Sequence, residues 1–384
     1  MTRLKTYDVV VVGAGVFGAW TALALALRGK RVALLEAYGP GHSRSSSGDE
    51  SRIIRMGYGA DEIYTRWSQR SLHLWKELCA ATKDESLFQQ TGVLWLAEAG
   101  NVSLAATREV LTRCQVKFTE LERAELIRKY PQINCEGIES GLYEPESGVL
   151  MARRCVAAVV TVGQKTGVEY RVAQVITPQG SGEISQVETT GGERFAAKHF
   201  VFACGAWLGK VFPELLGERI FPTRQEVFYI GIPVGDERFS PPALPTFLFK
   251  TDESYGMPNL ESRGLKIALD KHGERVDPDT QSRVVTASEL ERIRKYVGFR
   301  FPALNDVPVV ETRVCQYENT SSGDFLVDRH PGMRNVWLVG GGSGHGFKHG
   351  PAMGEYVAGQ LDAPRGEPRF SLESKNKVQL RSVY

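Results

Sequence analysis

The stretch YDVVVVGAGVFGAWTALALALRGKRVALLEA, residues 7–37, limits the fold more than any other part of the chain. Val9 to Val12 are an unbroken β-branched run, the pattern of a strand buried on both faces of a parallel sheet. Gly13, Gly15 and Gly18 follow in GxGxxG spacing, and an alanine- and leucine-rich helical stretch leads to a second strand, RVALLE. In such a turn the first glycine permits a tight bend. The second lets backbone approach a pyrophosphate, and the third lets helix pack on strand. The N–H groups and positive dipole end at the helix N-terminus then face the phosphates. Glu36 ends the second strand at the expected distance of about 20 residues, where its carboxylate can accept both ribose hydroxyls. These features bind an adenine dinucleotide. They do not by themselves separate NAD from FAD.

Three later segments bear on that choice. HFVFACGAW, 199–207, is an apolar strand running into Gly205, though an ordinary core strand would read the same way. NVWLVGGGSGHGFKHGPAMGEYVAGQL, 335–361, is a strand, a second glycine-rich turn and a helix. A second such turn suits a long cofactor that reaches across the protein, with a flavin ring whose reduced form carries negative charge. SRSSSGDESRIIRMGYG, 43–59, is polar and loop-like, and Arg52 and Arg55 would lie on opposite faces of an ideal strand. One could face a cofactor and the other a substrate anion. A solvated basic strand is the plainer alternative.

The chain has 384 residues, which suggests two or three domains. Net charge is +2, leaving no field to hold nucleic acid or an acidic membrane, and no apolar run reaches the length of a membrane span. The start MTRLK before an apolar run mimics a secretory signal. However, GAGVFG breaks the run, and another strand continues it. The cysteines at 79, 114, 135, 155, 204 and 315 form no CxxC pair, so a zinc ribbon is not expected, and the reading is a metal-free cytoplasmic protein. Cys315, in RVCQYENTSSGDFLVDRH, could be a packed apolar residue, a nucleophile, a metal ligand or an attachment point.

Taken together, DVVVVGAGVFG, SRIIRMGYG, YEPESGVL at 143–150, FACGAW, YGMP…GLKIAL at 255–269, RVCQYENT and GGSGHGFKHGPAMGE resemble the monomeric sarcosine oxidase family of flavoprotein amine oxidases over nearly the whole length. That family includes N-methyltryptophan and pipecolate oxidases. The resemblance implies FAD, carried through a thioether at the position of Cys315. It implies that Lys266 promotes reaction with oxygen, that Arg52 lies near the flavin, that Arg55 and Lys348 bind the substrate carboxylate, and that Tyr255 lines the pocket. With the glycine motif, the cofactor contacts expected are Gly13, Ala14, Gly15, Val16, Phe17, Gly18, Glu36, Ser46, Arg52, Val175, Gly205, Trp207, Cys315, Gly344, Gly346 and Lys348. Two positions depart from the family's sarcosine oxidases, which have histidine where this chain has Gly48 and Asp270. An acid at 270 is similar to the fructosyl amino acid oxidases. There Asp270 could meet a polyol or a cationic substrate group, or it could face solvent among the charged residues that follow.

The fold implied is an α/β FAD-binding Rossmann-like domain assembled from residues 1–85, 146–220 and 311–384. An α+β substrate domain with a mainly antiparallel sheet is expected from 86–145 and 221–310. The expected activity is oxidation of a secondary amino acid to an imine, with O2 reduced to hydrogen peroxide, by a monomer. A fructosyl amino acid oxidase is the alternative within this chemistry. An NAD-linked dehydrogenase would be colourless, and a silent flavin-binding protein would be yellow but unreactive to amines. The basic tail SKNKVQLRSVY ends without a peroxisomal signal.

Overall fold

The computed structural model describes residues 5–363 and 365–380. Residues 1–4 of the MTRLK start and 381–384 of the basic tail lie outside the described residues. The valine run becomes the strand Thr6–Val12, paired in parallel with Val32–Glu36 on one side and Arg194–Phe202 on the other. Glu169–Val172 and Met333–Gly340 extend the sheet in parallel at its two sides, and Leu326–His330 closes one edge in antiparallel pairing. Gln186–Glu188 pairs antiparallel with Arg194–Phe202. All five residues of Val32–Glu36 are buried, which is why that segment reads as a continuous apolar run. The helices Val16–Leu27 and Gly350–Asp362 pack against each other and against this sheet.

A second sheet of eight strands, among the described residues, runs in the order Val309–Asn319, Phe221–Ile230, Leu265–Leu269, Ser254–Met257, Thr246–Phe249, Val93–Ala97, Ser140–Glu144, Thr119–Glu122. It is antiparallel except where Thr246–Phe249 meets Val93–Ala97. Phe239, Phe247, Phe249 and Phe301 fill its core beside the helix Ala287–Arg300, each almost wholly buried. Each such ring contributes about 1.5–3 kcal/mol of burial free energy. The fold is thus a Rossmann-like α/β unit joined to an α+β unit. Val309–Asn319 straddles the expected boundary at residue 311 and pairs along its length with Phe221–Ile230, so Cys315 stands opposite Gln225 in the second sheet. A third small sheet, Arg52–Ile54, Gly148–Leu150 and Phe88–Gln89, carries Arg52 between the two units.

Candidate active site

A cavity of about 350 Å³ opens at the carboxyl ends of the strands Thr6–Val12, Arg194–Phe202 and Met333–Gly340, where Val12, Phe202 and Val339 line it. This is the carboxyl edge at which open α/β sheets receive ligands. Gly13 turns the chain there with φ of +100°, and a Cβ would lie 2.4 Å from the Ala203 carbonyl oxygen. The helix Val16–Leu27 begins at Gly15 without a side-chain cap or an acid in its first turn, which leaves its positive end facing the cavity. Glu36 is fixed by hydrogen bonds from Ala14 N (2.7 Å) and Tyr38 N (3.1 Å), while burial raises its pKa. Ser47 Oγ accepts from Val16 N at 3.1 Å.

At the other end the second glycine turn closes over Tyr317. Gly344 has φ of +78°, and a Cβ there would come within 2.7 Å of the Tyr317 ring. Glu318 accepts from Gly342 N at 3.2 Å through one oxygen, and its other oxygen is buried without a partner. Burial pushes this carboxyl up to about 7. Ser46 Oγ is also buried and unpartnered. An uncapped helix end, an acid at the ribose position and orphaned polar atoms along one hollow fit a dinucleotide such as FAD.

Of the expected cofactor contacts, Gly13, Gly15, Val16, Phe17, Glu36, Ser46, Arg52, Val175, Gly205, Trp207, Gly344 and Gly346 line this cavity. Ala14 and Gly18 stand behind it: Ala14 holds Glu36, and a Cβ on Gly18 would strike the Gly13 carbonyl. Cys315 and Lys348 do not line it. Cys315 is buried next to Gln316, which does, and its Sγ lies 3.3 Å from Arg52 Nη2.

Lys266 comes up from the second sheet and is almost wholly buried. Its Nζ donates to Asp49 Oδ2 (2.6 Å), Ser51 O (2.8 Å) and Ser51 Oγ (3.2 Å). Arg52 also donates to Asp49, as well as to Ser46 O at 3.0 Å. Burial lowers the pKa of Lys266 to about 8 against the pull of Asp49. Burial alone would raise the Asp49 carboxyl, but the charges of Lys266 and Arg52 hold it well below the usual range.

A second hollow, of about 460 Å³, is lined by Arg55, Tyr58, Trp95 and Lys250. The Arg55 guanidinium lies over Tyr58 (4.3 Å) and Trp95 (4.8 Å) and donates to Gly57 O. Lys348 Nζ donates to Tyr58 OH (2.8 Å) and His345 O (2.9 Å). Burial and then the charge of Arg55 push its pKa well below the ordinary lysine value. Asp270 is half-buried rather than free in solvent, and accepts from Tyr317 OH at 2.9 Å. Tyr317 is hydrogen-bonded in turn to Tyr255. Burial raises the Asp270 carboxyl, with the Tyr317 bond and the charges of Arg55, Lys250 and Lys348 opposing. Arg52 and Arg55 therefore part toward different regions, as their spacing suggests.

The sequence reading passed over Asp49, Glu144, Tyr58, Tyr317 and Glu318. Glu144, fully buried, accepts from Met56 N (2.7 Å), Gly57 N (3.0 Å), Trp95 Nε1 (2.7 Å) and Ser147 Oγ, and so fixes the turn that carries Arg55. YEPESGVL carries two acids around a turn, Glu144 and Glu146, and nothing local in it marks Glu144 as the buried one. The Gly48 departure has a local reason: a Cβ there would lie 1.9 Å from the His42 carbonyl oxygen, so no side chain fits that turn.

Fold and cavity together define a flavin-dependent oxidoreductase. Residues 8–360 match the FAD dependent oxidoreductase family (DAO), and the chain belongs to it. It is 31% identical to the peroxisomal sarcosine oxidase of Homo sapiens, over 91% of both chains. It is 29% identical to the monomeric sarcosine oxidase of Arthrobacter sp. (strain TE1826), over 99% of both. The fold is shared with the fructosamine oxidase Amadoriase II of Aspergillus fumigatus at a TM-score of 0.80 and 20% identity, covering 97% of this chain and 90% of that one. No helix among the described residues is long and apolar enough to cross a membrane.

Proposed function

We propose that the protein oxidises a C–N bond of a secondary amino acid to an imine, with oxygen as acceptor and hydrogen peroxide as product. The observation that carries this reading is the pairing of Arg55 and Lys348. They are two buried cations near one another, and Lys348 gives up its charge readily unless an anion joins them. A substrate carboxylate supplies that anion, and Arg55, held against Tyr58 and Trp95, offers a planar fork suited to it. In this reading Tyr255 and Asp270, joined through Tyr317, complete the substrate space. FAD, when bound, supplies the two-electron acceptor and the site of oxygen reduction.

Lys266 serves the oxygen step by stabilising negative charge as it develops on oxygen in a site shielded from water. Cys315 anchors the cofactor covalently, with the Arg52 guanidinium 3.3 Å from its Sγ. The protein acts as a monomer on small molecules. The six free cysteines suit a reducing cytoplasm.

The test is a panel of sarcosine, other N-methyl amino acids and pipecolate with peroxide readout. Turnover of at least one, weakened in Arg55→Met, supports the reading; silence toward all of them contradicts it. Acid precipitation tests the anchor: colour in the pellet and a flavin-sized mass increase on the Cys315 peptide are expected, whereas FAD in the supernatant removes the covalent link.

A second reading, a deglycating fructosyl amino acid oxidase, is favoured by Asp270. Its carboxylate, held by Tyr317 among Arg55, Lys250 and Lys348, could accept hydrogen bonds from a polyol. Fructosyl amino acids in the same panel decide between the two.

A further inference from the structure

We propose that Asp49 is the positioning residue that keeps Lys266 both placed and protonated, so that one buried carboxylate governs the pH range of the oxygen step. The proposal rests on the oxygen role of Lys266.

Asp49 is 4% exposed and Lys266 is 1% exposed, so neither charge is relieved by water. Asp49 is fully engaged. Its Oδ2 accepts from Lys266 at 2.6 Å and from Arg52, and its Oδ1 accepts from Glu50 N (2.7 Å) and Tyr229 OH (3.3 Å). Lys266 is equally committed, with its three N–H groups on Asp49 Oδ2, Ser51 O and Ser51 Oγ. One anion is therefore shared by two buried cations, and the group carries a net positive charge beside the cofactor cavity that Arg52 lines.

The other titratable groups facing Lys266 do little to hold its proton. From the strand Phe221–Ile230, Tyr229 presents its ring at 5.8 Å with a hydroxyl whose pKa burial raises further. Arg263 and Glu311 lie beyond that ring. From Val309–Asn319, Cys315 favours the charged amine only to the extent that it is a thiolate. Tyr255, on Ser254–Met257, is half-buried and its pKa is raised by desolvation. Arg52 opposes the ammonium. Against burial and Arg52, Asp49 is the main support for a charged Lys266. The amine is poised near pH 8, so its charge, and the oxygen step with it, is lost as pH rises through that value. Take away the Asp49 charge, and an ammonium stands beside a guanidinium in a dry site with no anion between them. The amine then sheds its proton at lower pH.

The experiment uses FAD-loaded wild type, K266M, D49N and D49E. The visible flavin spectrum is titrated from about pH 6 to about pH 10, and the oxygen half-reaction is followed separately at each pH. The expected wild-type result is a spectral step near pH 8 that K266M lacks. D49N should move the step down by about one unit or more, and slow the oxygen step about tenfold at pH 8. D49E, which retains the charge, should keep the step near its wild-type position, so the proposal remains testable if D49N folds poorly.

A D49N step at the wild-type pH, or a D49E step displaced as far as that of D49N, overturns the proposal while leaving the role of Lys266 intact. A K266M protein that lacks the step yet reacts with oxygen at the wild-type rate overturns the oxygen role instead. A wild-type spectrum with no step that K266M removes overturns both.

Discussion

The cofactor hollow and the amine side of this molecule are built from different materials. The hollow is made of backbone: glycine turns at Gly13 and Gly344, an uncapped helix end at Gly15 and one acid, Glu36, tied to the Ala14 amide. The amine side is made of charge withdrawn from water: Arg55, Lys348, Lys266 and Asp49 are buried and Asp270 is half-buried, and all but Arg55, which leans on Gly57 O and the Trp95 ring, are held by side chains from distant parts of the chain. A backbone-built site binds a constant ligand and tolerates little change in shape. A side-chain site can be retuned by a single substitution.

Five substitutions sharpen that contrast, beginning with the largest effect. Gly13→Val should abolish retention of FAD, because its Cβ meets the Ala203 carbonyl and its φ is unfavourable for a β-branched residue. The purified protein would be colourless, and a fully yellow variant would contradict the backbone account. Lys266→Met should slow the oxygen half-reaction by about 10²- to 10³-fold while substrate affinity changes little. Equal effects on both would mean that the two regions are not functionally separate.

Arg55→Met should raise KM roughly 10- to 200-fold, from loss of about 1.5–3 kcal/mol of charge-assisted hydrogen bonding. Glu144→Gln should follow in the same direction with a smaller rise, since Glu144 acts on Arg55 only through the turn that carries it and the Trp95 indole beside it. An Arg55 effect confined to kcat would break the carboxylate assignment. The smallest effect lies away from both regions. Thr286 caps the helix Ala287–Arg300 through Glu289 N, and Thr286→Ala should lower stability by about 1 kcal/mol in denaturant titration without altering turnover.

The same contrast decides what the sequence alone could reveal. The nucleotide half was legible because its determinants are contiguous: strand, glycines, helix and acid fall within residues 7–37 and follow local rules of turn geometry and helix polarity. Lys266 and Lys348 were legible only through resemblance to a family, and Arg55 through that resemblance and its spacing from Arg52, since no local pattern marks a buried cation. Asp49 and Glu144 escaped altogether. Asp49 meets Lys266 across 217 residues, and Glu144 meets Met56 across 88. Their value arises only when the second sheet and the small third sheet bring those segments together. In the sequence, each is one acid among 45. Val309–Asn319 shows the same limit for domain borders, because strand pairing with Phe221–Ile230, and not composition, assigns it to a sheet.

The most direct test of the central claim follows the flavin through one turnover. The FAD-loaded protein is mixed without oxygen with the best substrate of the secondary amino acid panel, and air is then admitted. Loss of the yellow colour on mixing, and its return on air with one equivalent of hydrogen peroxide, is the result this account predicts. Colour that persists with every secondary amino acid, or that returns only with an artificial electron acceptor, would contradict it.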